Sequence, residues 1–197
     1  MKRFIFFVVA FVVTLNSFAQ NAEQEIRKVF AEYFECLETK NFSKVVEYVS
    51  DECSKEEYVK KLESAFNDPE AELEAADFKI LEIGKIEKIK NKYYSVVAFS
   101  FWSKVKLIDD EIEFTDEKIV EMMLPALKEH FGTNDIKYNK ETDFFEIKSI
   151  QKVIVVSKNN LTDWKLIVVE DKAALEKILP KKILKKSEEL LIKVPKN

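Results

Sequence analysis

An α+β fold, with N-terminal helices packed on a curved antiparallel sheet and a helical tail, is what the sequence predicts. Three patterns carry the prediction. Ile26, Val29, Phe30, Tyr33, Phe34 and Leu37 recur at the helical period, with Glu23, Glu25, Arg27, Lys28, Glu32 and Glu35 on the opposite side. Residues 93–108 alternate over a length that only a long strand explains. On one face lie Tyr93, Val97, Phe99, Phe101, Val105 and Leu107. Residues 144–157 and 164–169, separated by Lys158-Asn159-Asn160-Leu161-Thr162-Asp163, read as a second hairpin.

The elements follow in order. Lys40-Asn41 ends the first helix, and Val45, Val46, Tyr48 and Val49 predict a short second one. A third starts at Ser54-Lys55-Glu56-Glu57, where a serine hydroxyl and a glutamate three residues on can satisfy two free amide groups of the first turn. It carries Tyr58, Val59, Leu62, Ala65 and Phe66 and stops before Pro69. The first strand is expected over 78–90, with a bulge at Gly84 where the apolar phase shifts, and a tight connection at Asn91-Lys92. The other face of the second strand, Tyr94 to Lys106, grows polar toward its end, so the three helices are expected to cover the apolar face. Thr115-Asp116-Glu117 opens a helix containing Ile119, Val120, Met123, Leu124 and Leu127, which Pro125 should kink or divide and Gly132 should end. Residues 133–143 read as a polar loop.

The first residues have the form of a secretory signal peptide. Lys2 and Arg3 precede a 12-residue stretch, 4–15, that is apolar but for Thr14, and Ser17 and Ala19 are the small residues of a cleavage site before Gln20. That stretch is too short for a membrane-spanning helix, which needs about 20 apolar residues. The expected organisation is therefore a signal peptide at 1–19, an α+β domain at 20–171 and a basic amphipathic tail at 172–197. The mature chain is expected to be periplasmic or secreted, without membrane contact. Cleavage removes Lys2 and Arg3 and no acid, taking the formal net charge from −4 to −6. An acidic chain whose single remaining arginine is Arg27 is a poor nucleic-acid or phosphate binder. Cys36 and Cys53 are the only cysteines, and the compartment permits one disulfide between them or two buried free thiols.

Two glycines 48 positions apart, Gly84 and Gly132, cannot build a glycine-rich phosphate cradle, and one histidine cannot build a multi-histidine metal cage. No cofactor, metal or catalytic residue is expected. His130 is explained by its place at a helix end. The acidic run Asp109, Asp110, Glu111, Glu113, Asp116, Glu117 lacks calcium-loop spacing. From 177 to 197 there are seven lysines and two glutamates, with Ile183 and Leu190, and Leu184 and Leu191, at seven-residue spacing. That tail either docks on its own sheet, binds a partner or lies on an anionic lipid surface.

The segment E-I-R-K-V-F-A-E-Y-F-E-C-L-E-T-K-N-F-S-K-V-V-E-Y-V, residues 25–49, with the strands after it, resembles the nuclear-transport-factor-two-like (cystatin-like) superfamily. The match runs over about 20–108 and 144–170; the insert near 116–131 and the tail after Asp171 depart from the minimal pattern. The resemblance implies a cone whose wide end holds a small molecule. The pocket residues expected on this basis are Tyr33, Phe99, Phe101, Trp102 and Trp164. The expected function is an exported, non-enzymatic module that binds a small apolar ligand or a protein partner. The alternative is an isomerase or hydrolyase-type enzyme using the same cavity, and a homodimer through the exposed sheet face is a further reading.

Overall fold

The structure, a computed structural model, describes residues 2–108, 117–158, 160–169 and 172–190; the side chains of 2–19, 117–119, 130, 172 and 190 are outside that description. The acidic run from Asp109 to Asp116, the side chain of His130 and Leu191 therefore lie outside the described residues.

Helix α1 (Lys2–Glu38) precedes a single-turn α2 (Phe42–Val45) and α3 (Lys55–Phe66). At the start of α3, Ser54 Oγ accepts from Glu57 N–H at 3.4 Å, so the serine cap works as its spacing predicts. The sheet is β1 (Ala71–Ile83), β2 (Glu87–Ile89), β3 (Lys92–Leu107), β4 (Ile136–Asn139), β5 (Phe144–Ser157) and β6 (Lys165–Ile167). It is antiparallel and curved, in the order β1-β3-β5-β4, with β2 added to β3 and β6 added to β5. Helix α4 (Glu117–Phe131) lies between β3 and β4, and α5 (Lys172–Ile178) and α6 (Lys181–Leu190) end the chain.

Five expectations change. The first strand begins at Ala71, where Leu73 faces Val105 across the ladder. Its bulges fall at 76–79 and 80–82, not at Gly84. Gly84 instead fills the break between β1 and β2, donating its N–H to Val96 O (2.8 Å) and accepting from Ser95 Oγ (2.7 Å). The tight turn is Lys90-Asn91, with Lys90 at φ 55°. The polar loop holds β4, because Ile136 and Tyr138 face Ile147 and Phe145. Pro125 is accommodated within one continuous α4, and Gly132 at φ +62° ends it in the left-handed conformation.

The alternation of β3 divides the core in two. Val97 and Phe99 face α1 to α3 and meet Ile26, Phe30, Phe34, Val45 and Trp164. Farther along the same face, Val105 with Phe145, Ile147 and Ile136 is covered by Val120 and Leu127 of α4. The three N-terminal helices thus cover only part of that face. On the opposite face Tyr94, Val96, Ile154, Val156 and Ile167 pack against Leu179 and Ile183. The tail docks on its own sheet, held at its rim by Glu87, which accepts from both Lys182 and Lys186.

Candidate ligand cleft

After Ile167 the chain stops pairing with β5 and leads toward α5, while α1 and α3 stand against the other side of that margin. The divergence leaves a cleft of about 660 Å³. Val153, Leu166, Ile167, Val168, Val169 and Ile178 give it apolar walls, with Phe99 and Tyr33 on the sheet and helix side. Glu52, Glu57, Lys61 and Lys152 supply charge.

Two hydroxyls meet in this cleft. Tyr33, buried, and Tyr58, from the first turn of α3, share a short hydrogen bond. Burial, then the neighbouring Tyr58, pushes the Tyr33 hydroxyl well above its usual range, so it stays protonated. Cys53 is the adjacent thiol, and burial raises it too, outweighing its backbone hydrogen bond with Val168. A protonated thiol is a weak nucleophile. Burial lowers Lys152, whose ammonium donates to Ser187 O on α6. Lys92 donates to Glu52 Oε1, which raises Lys92, while Glu52 Oε2 is buried without a hydrogen-bond partner among the described residues. This set can hold an apolar group and hydrogen-bond to a polar atom attached to it. Among the described residues no group of three or more His, Cys, Asp or Glu could hold a metal ion.

Of the five residues expected to line a pocket, Tyr33 and Phe99 do so. Phe101 stands instead in an aromatic stack, its ring 5.3 Å from Phe78 and 5.9 Å from Phe99, and Phe78 in turn lies 4.2 Å from Phe34. Trp102 projects from the opposite face, under Lys148 Nζ at 5.9 Å. Trp164 is fully buried and donates Nε1–H to Leu161 O at 2.9 Å. Cys36 is buried in the helix-side core and Cys53 lines the cleft; both are free thiols, so the bridge that an even cysteine count permits is not formed.

The residues missed from sequence are Tyr58, Cys53, Lys152 and Val153. Only Tyr58 left a trace: it sits on the apolar stripe of a helix that buries none of its side chains fully, which leaves a polar-tipped ring facing a gap. Comparison of the chain with protein-family models and with curated proteins finds no match.

Proposed function

We propose that this protein is an exported, non-enzymatic binding module whose cleft beside β5 takes an apolar group. The observation that carries the reading is the cleft's composition: aliphatic side chains around the Tyr33–Tyr58 pair and the Cys53 thiol, with burial keeping Tyr33 and Cys53 protonated. Concave, mostly apolar sites with a few convergent polar groups are the usual form of a ligand site. N-phenyl-1-naphthylamine, a small apolar dye, is expected to brighten on binding. Val153→Trp, which fills the cleft from its wall, should weaken that binding by about tenfold or more. No brightening, or brightening indifferent to Val153→Trp, rejects the reading. The resemblance to the nuclear-transport-factor-two-like superfamily is part of the proposal and agrees with helices packed on a curved sheet.

The alternative, an isomerase or hydrolyase-type enzyme, draws on the Tyr33–Tyr58 pair, which can donate a proton or a hydrogen bond to a developing oxyanion. Such an enzyme also needs a base, and among the described residues the carboxylates lining the cleft are Glu52, already engaged by Lys92, and Glu57.

Export rests on the charged, apolar and small-residue succession of 1–19. Among residues whose side chains are described, the first buried one is Ala22, which lies after the expected cleavage point. The intact mass of protein recovered from the periplasm or medium should correspond to a chain starting at Gln20; a chain retaining 1–19 contradicts export by cleavage.

A further inference from the structure

Both outer rows of the sheet are interrupted, and the two interruptions differ. In the row beside β3, Gly84 bridges the break between β1 and β2 with its own hydrogen bonds. In the row beside β5, β4 pairs as far as Ile147 and β6 begins at Ile154. Lys148 N–H donates outward to Asp135 O at 2.9 Å, closing one end. Strand alternation then places the N–H and C=O of Ile150 and Lys152 on that same outer edge. Among the described residues no strand lies beside residues 149–153, a stretch of roughly 17 Å at the usual rise per residue.

This edge lacks the usual defences. The β1 edge carries two bulges and Glu72, Glu74 and Glu82, devices that turn a partner strand away. The β3–β5 register runs through the window without a shift. Its lysines are engaged elsewhere: Lys152 on Ser187 O, Lys148 over Trp102. Ile150 is exposed. The large cleft lies on the helix side of the window, and a second one of about 300 Å³, walled by Ile154, Val169, Leu175 and Ser187, lies on the tail side. Gln151, Lys152 and Val153 border both.

We infer that residues 149–153 of β5 are a strand-addition site for an extended segment of another polypeptide, which completes the row begun by β4 and β6. The inference rests on the cleft reading above and names its occupant. Main-chain hydrogen bonds to Ile150 and Lys152 hold the segment, and successive side chains enter the two clefts alternately, as strand geometry requires. A second copy pairing through its own β5 does not fit. Its β4 and β6 would occupy the row in which this β5 already lies.

The test uses the peptide acetyl-Thr-Val-Thr-Val-Thr-Lys-amide and two versions of it, each N-methylated on one alternate set of amides. The parent should bind in about the micromolar range. Methylation of the set facing β5 should weaken binding at least about tenfold, and methylation of the other set should leave it unchanged, because only one set donates to the sheet. Amide exchange at Ile150 and Lys152 should slow when the peptide binds. Ile150→Pro removes an outward N–H without breaking a β3 bond, and should abolish peptide binding while N-phenyl-1-naphthylamine still binds. Equal effects of the two methylations, or no slowing at Ile150 and Lys152, overturn the inference. Self-association that Ile150→Pro abolishes would make the occupant a second copy and overturns it too. Dye binding without peptide binding leaves the cleft reading standing and removes this one; loss of dye binding in the wild type removes the cleft reading itself.

Discussion

Trp164→Ala is expected to lower stability by about 3–5 kcal/mol, a large share of what a domain of this size has. The ring is fully buried in the helix-side core beside Leu166 and Phe30, and its removal leaves a cavity that the sheet cannot close. A second cost is local. Asn160, Leu161 and Asp163 all have positive φ, at 41°, 69° and 52°; Asn and Asp take this conformation readily, but a leucine does so only when its surroundings enforce it. Two bonds enforce it here: Trp164 Nε1–H to Leu161 O, and Ser157 Oγ–H to Thr162 O. Trp164→Phe keeps most of the burial and loses one bond, so it should cost about 1–2 kcal/mol. Urea unfolding of both variants checks the pair. An alanine variant that loses less than the phenylalanine variant would contradict the account.

Ile183→Ala should cost about 2–4 kcal/mol by the same cavity argument, and its effect should be concentrated in α6. Ile183 is the buried centre of the contact between α6 and Tyr94, Val96 and Ile154. Amide exchange should rise in α6 and in the facing residues of β3 before the rest of the sheet responds. Uniform acceleration across the fold would mean that α6 does not open as a unit.

Glu87 adds a charge-dependent part to the same contact. Hydrogen bonds from Lys182 and then Lys186 hold its carboxyl down at about 2, against an ordinary value of 4.5. A folded-state value below the unfolded one stabilises the fold fully above about pH 4.5, and that stabilisation is lost as pH falls toward 2. Wild type should therefore exceed Glu87→Gln in stability at neutral pH, with the gap closing through that window and narrowing in high salt. A gap constant from pH 6 to 2 would show that the ion pairs contribute nothing.

The parts of the fold visible in the sequence were those set by local chemistry. The period of Ile26 to Leu37, the serine at 54 and the alternation of 144–157 each fix an element without help from distant residues. β4 was hidden because four residues flanked by turns carry too little pattern, and Ile136 becomes interior only through Ile147 and Phe145. The start of β1 was hidden by its glutamates, Glu72 and Glu74, which face away from Leu73. The cleft was hidden for a different reason. It exists where one chain segment leaves another, and no residue type marks a departure. Tyr33 and Phe99 were found because the apolar face of β3 and the stripe of α1 converge there. Phe101 shares the aromatic alternation of Phe99 but stands in the stack with Phe78 and does not line this cleft.

The docking of α6 has a consequence for the order in which the molecule is made. Strands β3 and β5 meet only after everything from Val105 to Phe145 has been looped out, and such distant pairing is slow. The helix that seals the second face, α6, follows the whole sheet in the chain, so its anchor Ile183 is made after every strand. Until that anchor leaves the ribosome, Tyr94, Val96 and Ile154 have nothing to cover them. The sheet can be closed on both sides only after every one of its strands has been made.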